Sequence, residues 1–441
     1  MGTSMAAYGI GLAVLLGALF ALGADSMPSG AIFASMLAFA ALFMAAKQKG
    51  NLFPSRFFWS GAAALLVLAI AQLIAISKMT GRADWHATTQ EAVILVGAVA
   101  CFILGHCVCL ETKFAARAFR WLVAVLLGVS ILSFVDFAAA PDQIFGRDKP
   151  FHHDRLTVPF LSANTAATFF GISTVLAFGQ LLNAGRGTGG GVMSAIERIA
   201  RHAVLSLLLF AFGLTALLLT GSRAGLVATG VGLLALFLWD GLAVSRSSST
   251  PPGSIFRRVG IRTVGGVVGG AGLLAMSWAI SGEVAQDRLL GLQTDDAGRF
   301  VLWEASWQAF LDAPIWGHGL GQFSTAIAPH ITQATAPTLV LQGAAHNLLL
   351  QWLVQTGVVG TVVGATFVAL IGSKIVSGLR RRRRQRTLIR TVLTIWGVVL
   401  MHGLLDYGVE IPAILWLLGL LLGMGSGIAA GHSEQKHNPG A

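Results

Sequence analysis

Residues 203–239 read AVLSLLLFAFGLTALLLTGSRAGLVATGVGLLALFLW, two apolar runs joined by Thr220-Gly221-Ser222-Arg223-Ala224-Gly225, with Arg223 as the single charge. Each run can cross the roughly 30 Å of bilayer hydrocarbon as a helix, the conformation that satisfies its own backbone in lipid. The pattern recurs along the chain. It predicts helices at roughly 5–23, 30–46, 57–77, 91–110, 118–138, 160–183, 202–220, 223–243, 263–281, 347–373, 388–405 and 412–430. The fold class is therefore all-α: one polytopic membrane domain over 1–441 with about twelve transmembrane helices.

Composition excludes a soluble enzyme. The 441 residues are 55% hydrophobic and 11% charged, with a mean hydropathy of +0.74, whereas soluble domains carry about a quarter charged residues. The net charge of +11 is spread over short segments between apolar runs, so membrane topology accounts for it and nucleic acid does not. Cys101, Cys107 and Cys109 share one apolar run and read as packing residues rather than a disulfide framework. The first run lacks a basic leader and a cleavage site before polar sequence, so it reads as a retained helix.

Short cytoplasmic loops carry the excess of Lys and Arg, and alternate loops satisfy this. One side holds Lys47, Lys49 and Arg56, then Lys113, Arg117 and Arg120, then Arg186, Arg198 and Arg201, then Arg246 to Arg262, and finally the run Arg380 to Arg384 with Arg386 and Arg390. The parse puts both termini on that cytoplasmic side and makes the arginine run a topology signal. It also leaves one long external segment, 281–346, between the ninth and tenth helices, too long for an idle connection. Within it Phe300, Trp303, Trp307, Phe310 and Leu311 recur at three-and-four spacing beside Glu304, Gln308 and Asp312. An amphipathic helix near 299–312 is expected, lying along the outer membrane surface or capping the bundle.

Several residues on the external side could carry chemistry. Arg223 either binds an anion or snorkels to headgroups. Arg155, in His152-His153-Asp154-Arg155, is either a second anion ligand or a loop arginine paired with Asp154; two guanidinium forks would suit a diphosphate. His346 and Asn347 open the tenth helix: the imidazole could accept a proton from an attacking hydroxyl, or Asn347 could simply cap the helix with His346 at the interface. His402 and Asp406 are four apart and could hydrogen-bond, with Asp406 able to orient a base or bind sugar hydroxyls. His318 and His330 read as exposed loop histidines, and Asp295-Asp296 as loop surface. His152, His153, Asp154 and Asp148 lack zinc-site spacing, and the glycine-rich 187–191 and 265–272 lack the context of a phosphate-binding loop.

Gly298-Arg299-Phe300-Val301-Leu302-Trp303, Pro314-Ile315-Trp316-Gly317-His318-Gly319, and His346-Asn347 followed by nine residues and Gly357-Val358-Val359-Gly360 together resemble the O-antigen ligase and Wzy-type polysaccharide polymerase family. Thr220 to Arg223, and Arg155 with Asn164, are similar to its other recurrent elements. The resemblance implies a GT-C-like, metal-independent and cofactor-free glycosyltransferase of the bacterial inner membrane with a periplasmic site. The donor would be an undecaprenyl-diphosphate-linked glycan, and the acceptor lipid A-core for a ligase or another lipid-linked glycan for a polymerase. Arg155, Arg223 and Arg299 would hold the diphosphate, and His346 would deprotonate or orient the acceptor hydroxyl; Asn347, His402 and Asp406 form a second tier. A protein-glycosylating member fits the same motifs, and a twelve-helix transporter or flippase is the rival from another class.

Overall fold

The computed structural model describes residues 3–47, 83–184, 203–245, 295–382 and 385–431, with Gln72, Ile74, Ala75 and Ser77. Among them run α1 (Thr3–Phe20), α2 (Met27–Lys47), α3 (Trp85–Leu110), α4 (Thr112–Ala139), α5 (Ala163–Ala184), α6 (Val204–Leu219), α7 (Arg223–Ser245), α8 (Asp295–Asp312), α9 (Phe323–Ile327), α10 (Ala336–Leu339), α11 (Leu348–Arg381), α12 (Arg386–Gly403) and α13 (Pro412–Ala430). A two-stranded antiparallel hairpin, β1 (Gln143–Ile144) and β2 (Arg147–Asp148), lies between α4 and α5. Seven of these helices are long and apolar enough to cross a membrane, and α1 and α6 are shorter apolar helices. Ten of the twelve expected helices correspond to described elements. The other two, 57–77 and 263–281, fall wholly or almost wholly outside the described residues, as do the glycine-rich stretches 187–191 and 265–272.

Boundaries differ from expectation where capping decides them. α3 starts at Trp85 rather than 91 because Asp84 caps it, its carboxylate accepting from the His86 and Ala87 amides at 3.0 and 3.1 Å. α11 runs on to Arg381, beyond the expected 373, so Arg380 and Arg381 sit in its last turn, where cations favour the helix dipole.

The core is built around α5 and α13, whose membrane-length windows are 83% and 78% buried, against 33% for α2, α7 and α11. α13 lies along α3 with the backbones nearly touching: a Cβ at Gly423 would collide with the Phe102 carbonyl oxygen. Small residues at such a contact supply the packing that lipid-embedded helices rely on. The Trp416 indole locks the pair, donating to the Ile94 carbonyl at 2.9 Å. Deeper along α7 and α12, Asp240 and Arg390 form a buried ion pair at 2.9 Å. Arg390, expected as part of the basic loop signal, is thus a helix-packing residue.

The segment from Asp295 to Ala345 is ordered by a small core of its own: Leu302, Ala305, Ala309 and Phe310 of α8 pack with Phe323, Ala326, Ile327, Leu339, Ala345 and Val354. This corrects the expected face of α8. Phe310 points inward, while Phe300, Trp307 and Leu311 stay exposed at 66%, 43% and 49%. Gln322, fully buried, ties the segment to α3: its side-chain oxygen accepts from the Asp84 amide at 2.9 Å and its amide donates to the Asp84 carbonyl at 2.7 Å and to Thr88 Oγ1 at 2.8 Å.

Candidate active site

The chemistry-bearing residues collect at one end of the bundle, around the first turns of α5. His346 precedes α11 with a left-handed backbone, φ 48°, a conformation that costs energy for a residue with a Cβ and is held only where its surroundings fix it. The surroundings are specific. On one side the Ala345 amide donates to Gln351 Oε1 at 2.7 Å, and on the other the Ala345 carbonyl accepts from the Trp303 indole at 3.1 Å. Asn347 caps α11 by accepting from the Leu350 amide at 3.1 Å and reaches back to donate to the Leu404 carbonyl at 2.9 Å. The cap expected of Asn347 is present, and it leaves His346 to be aimed by other contacts.

Asp406 supplies one of them. Its Oδ1 lies 3.2 Å from His346 Nδ1, the carboxylate side chain 1% exposed and the imidazole 26%. Burial alone would raise the Asp406 carboxyl, but the hydrogen bond from His346, the charges of His402 and His346 and the Tyr407 amide outweigh it and hold the group below its ordinary value. A carboxylate there assigns the hydrogen to Nδ1 and leaves Nε2 with its lone pair. The Tyr407 ring packs nearly perpendicular to the imidazole, with centroids 4.6 Å apart. Its hydroxyl is pushed up by burial and by the charges of Asp406, Asp25 and Glu410, so it stays a neutral phenol.

His402 and Asp406, expected as a possible pair, are separately engaged. His402 Nδ1 pairs with Thr168 Oγ1 of α5 at 2.9 Å. His402 Nε2 and Asp406 Oδ2 are both buried without a hydrogen-bond partner among the described residues.

Arg155 is 7% exposed. Its Nε donates to the Thr220 carbonyl at 2.6 Å, Nη1 meets His152 Nδ1 at 3.2 Å and Nη2 meets Asn164 Oδ1 at 3.4 Å. Its own carbonyl accepts from the buried Lys149 ammonium at 2.7 Å, and the Leu156 amide donates to the Leu219 carbonyl at 3.0 Å. Burial pulls the Lys149 ammonium down to about 8 against the pull of Asp136, Asp142 and Asp154. The guanidinium is therefore built into the end of α6, directly beside the Thr220–Arg223 turn. Arg223 itself is exposed at the first position of α7. Two residues on, Gly225 packs close to Ala167 and His402: a Cβ there would lie 3.4 Å from His402 Cε1.

These contacts make one chain of neighbours, from Arg155 through Asn164 and Thr168 to His402, with Asp406 just beyond the end of α12 holding His346, and Arg223 two residues from Gly225. Arg299, half-buried on α8, is near enough for its charge to bear on His402. His318 and His330 are not at this site. His318 is half-buried rather than exposed, its Nε2 2.7 Å from the Ala309 carbonyl, and His330 pairs with Asp312 at 2.8 Å.

Residues that sequence reasoning passed over are those whose roles depend on distant partners. Thr168 is one polar residue in a helix buried on nearly every face; Gln351 and Lys149 are ordinary polar residues until their burial is seen. Tyr407, adjacent to Asp406 and one of two tyrosines in the chain, carried the most accessible signal.

Residues 208–365 match the family model described as O-Antigen ligase, and the match supports the O-antigen ligase and Wzy-type family that the motifs resemble. The matched stretch contains Arg223, Arg299, His346 and Asn347, while Arg155, His402 and Asp406 lie outside it. No curated protein matches the chain.

Proposed function

Starting from an O-antigen ligase segment that contains His346 and Arg223, we propose that the protein transfers a glycan en bloc from undecaprenyl diphosphate to an acceptor hydroxyl on the periplasmic face of the inner membrane, with lipid A-core as acceptor. The observation that carries this is the pairing of His346 with buried Asp406, at the end of the bundle where Arg155 and Arg223 also stand.

His346 Nε2 takes the proton of the acceptor hydroxyl as its oxygen attacks the anomeric carbon, and Asp406 stabilises the imidazolium that forms. The carbon–oxygen bond to the diphosphate breaks, and the charge left on the diphosphate is met by Arg223 and Arg155, with Arg299 as a third cation. Arg155 enters with part of its fork committed to Thr220, Asn164 and His152, which orients it at little entropic cost. Asp406 Oδ2 and His402 Nε2 stand beside the base and can hydrogen-bond to a hydroxyl or water.

The same parts would serve a polymerase that joins lipid-linked repeat units, so acceptor identity is the variable. Purified protein is to be incubated with undecaprenyl-diphosphate glycan and, in separate reactions, lipid A-core and a second lipid-linked glycan, without nucleotide. Release of undecaprenyl diphosphate with glycan appearing on lipid A-core is expected. Transfer only to the second lipid-linked glycan would make the protein a polymerase, and absence of transfer in every reaction would remove the transferase reading.

A further inference from the structure

Ala345, fully buried, is the residue through which the chain enters the left-handed turn at His346, and both of its backbone groups are held by side chains. The Trp303 indole donates to its carbonyl at 3.1 Å, and its amide donates to Gln351 Oε1 at 2.7 Å. Each bond orients a planar peptide unit, so the two peptides that flank Ala345 are fixed. A residue with a Cβ has no local preference for the conformation of His346 and keeps it only through such outside contacts.

Gln351 is 1% exposed, in the first turn of α11. With Oε1 committed to the Ala345 amide, the nitrogen is what remains of its carboxamide, and nitrogen can only donate. The group it meets is the Glu410 carboxyl, which hydrogen-bonds to the Gln351 side chain. The two partners enforce one orientation of the carboxamide. Turned over, it would set its own N–H hydrogens against the Ala345 N–H and its oxygen against a carboxylate oxygen.

Glu410 belongs to the connection that also carries Asp406. It ends the 3₁₀ turn Gly408–Glu410, its amide donating to the Tyr407 carbonyl at 2.8 Å. The connection from α12 to α13 thus meets the start of α11 at three points: Leu404 with Asn347, Asp406 with His346, and Glu410 with Gln351. The 3.2 Å contact with Asp406 sets which way the imidazole faces. The place from which it faces is set by the backbone, and there Gln351 acts.

We propose that Gln351 and Glu410 are positioning residues for His346, acting in series: Glu410 orients the Gln351 carboxamide, and Gln351 holds the chain at Ala345 so that the imidazole lies against Asp406. The effect on rate rests on the transferase reading; the effect on the imidazole does not.

The test uses full-length protein in lipid nanodiscs, as Gln351→Met, Glu410→Met, the double variant and Glu410→Gln. A carboxamide oxygen accepts from Gln351 as a carboxyl oxygen does, so Glu410→Gln is the conservative replacement. In the first arm the protein carries ¹⁵N-histidine, the His346 signals are identified by their loss in His346→Gln, and spectra are recorded at a pH where the ring is unprotonated. Hydrogen on Nδ1 is expected in the unaltered protein, a mixture of tautomers in Gln351→Met and Glu410→Met, and return to Nδ1 in Glu410→Gln. An unchanged tautomer in both methionine variants would overturn the proposal, and Glu410→Met decides alone if Gln351→Met does not fold. In the second arm transfer is measured. Misplacing a reacting group by about 1 Å can cost about a hundredfold, so kcat should fall about ten- to a hundredfold in both methionine variants with KM in place. The double variant should be no slower than Gln351→Met, because residues acting in series are not additive, and Glu410→Gln should recover most of the loss of Glu410→Met. Additive losses, or a rise in KM with kcat unchanged, would overturn the series. If the unaltered protein transfers nothing while the tautomer responds as described, the transferase reading fails and the positioning stands.

Discussion

Gly317 and Gly357, forty positions apart in the chain, face each other backbone to backbone: a Cβ on Gly317 would lie 2.5 Å from the Gly357 nitrogen, and one on Gly357 2.6 Å from the Gly317 nitrogen. Gly357 has φ 60° and ψ −172°, interrupting α11 with a conformation that is essentially restricted to glycine. The Pro314–Gly319 turn fits into this break, with His318 and Gly319 amides donating to the Val354 and Gln355 carbonyls at 2.9 and 2.8 Å and the Val358 amide to the Pro314 carbonyl at 2.9 Å. Two of the motifs noted in sequence are thus the two halves of one joint, which sets the angle at which α11 delivers His346.

Gly357→Ala should break that joint. The backbone conformation alone costs about 1–3 kcal/mol for a residue with a Cβ, and the collision of that Cβ with the Ile315 carbonyl adds to it. A lowered thermal midpoint in detergent and loss of transfer are expected. Gly230→Ala, on an open face of α7 with nothing within 4 Å, should be neutral or stabilising by about 0.5–1 kcal/mol.

Asp406→Asn keeps the shape of the His346 partner and removes its charge. A positioned base is worth about 10²–10⁴ in rate, so kcat should fall by about a hundredfold or more with little change in KM. A carboxyl held below its ordinary value stabilises the fold above that value and loses the contribution as pH falls through the lowered one. In melting experiments Asp406→Asn should therefore be destabilising at neutral pH and nearly silent in strong acid.

Glu410 titrates in the opposite sense. Burial and then the charge of Glu91 push its carboxyl well above the ordinary glutamate value, with the hydrogen bond from Gln351 pulling the other way. The folded protein therefore holds this proton more tightly than the unfolded chain, so the contribution to stability is full below the ordinary value and is lost as pH rises through the raised one. Glu410→Gln should raise the thermal midpoint at neutral and alkaline pH and flatten its decline with pH; Glu410→Gln melting below the unaltered protein at pH 8 would contradict this.

Asp240 and Arg390 are both under a tenth exposed. Removing one partner of a buried pair leaves an uncompensated charge and costs about 3–5 kcal/mol, whereas replacing both with apolar residues of similar volume is often neutral. Asp240→Leu should destabilise strongly, and Asp240→Leu with Arg390→Met should recover most of the loss, as measured by the fraction of monodisperse protein after heating.

Helix positions were readable from sequence because hydropathy over a membrane-length window depends on local composition alone. Arg223 stood out for the same reason, as one charge between two apolar runs, and His346 because it sits where a long loop becomes a helix. What remained hidden was long-range. The His346–Asp406 contact joins residues sixty positions apart, Thr168 acquires its role only when α5 meets α12, and Lys149 is an ordinary loop lysine until its ammonium is buried against the Arg155 carbonyl. The inward turn of Phe310 could not be read from the periodicity of α8, because that helix packs on a separate small core rather than on the bundle.

The proposed transfer requires a base and an arginine acting on the same donor. Single-turnover transfer from undecaprenyl-diphosphate glycan by the unaltered protein, His346→Ala and Arg223→Ala tests this directly, with thermal midpoints showing that each variant is folded. The expected result is loss of transfer in both variants, with Arg223→Ala also losing affinity for undecaprenyl diphosphate and His346→Ala keeping it. Full transfer by either folded variant would contradict the site described for His346 and Arg223.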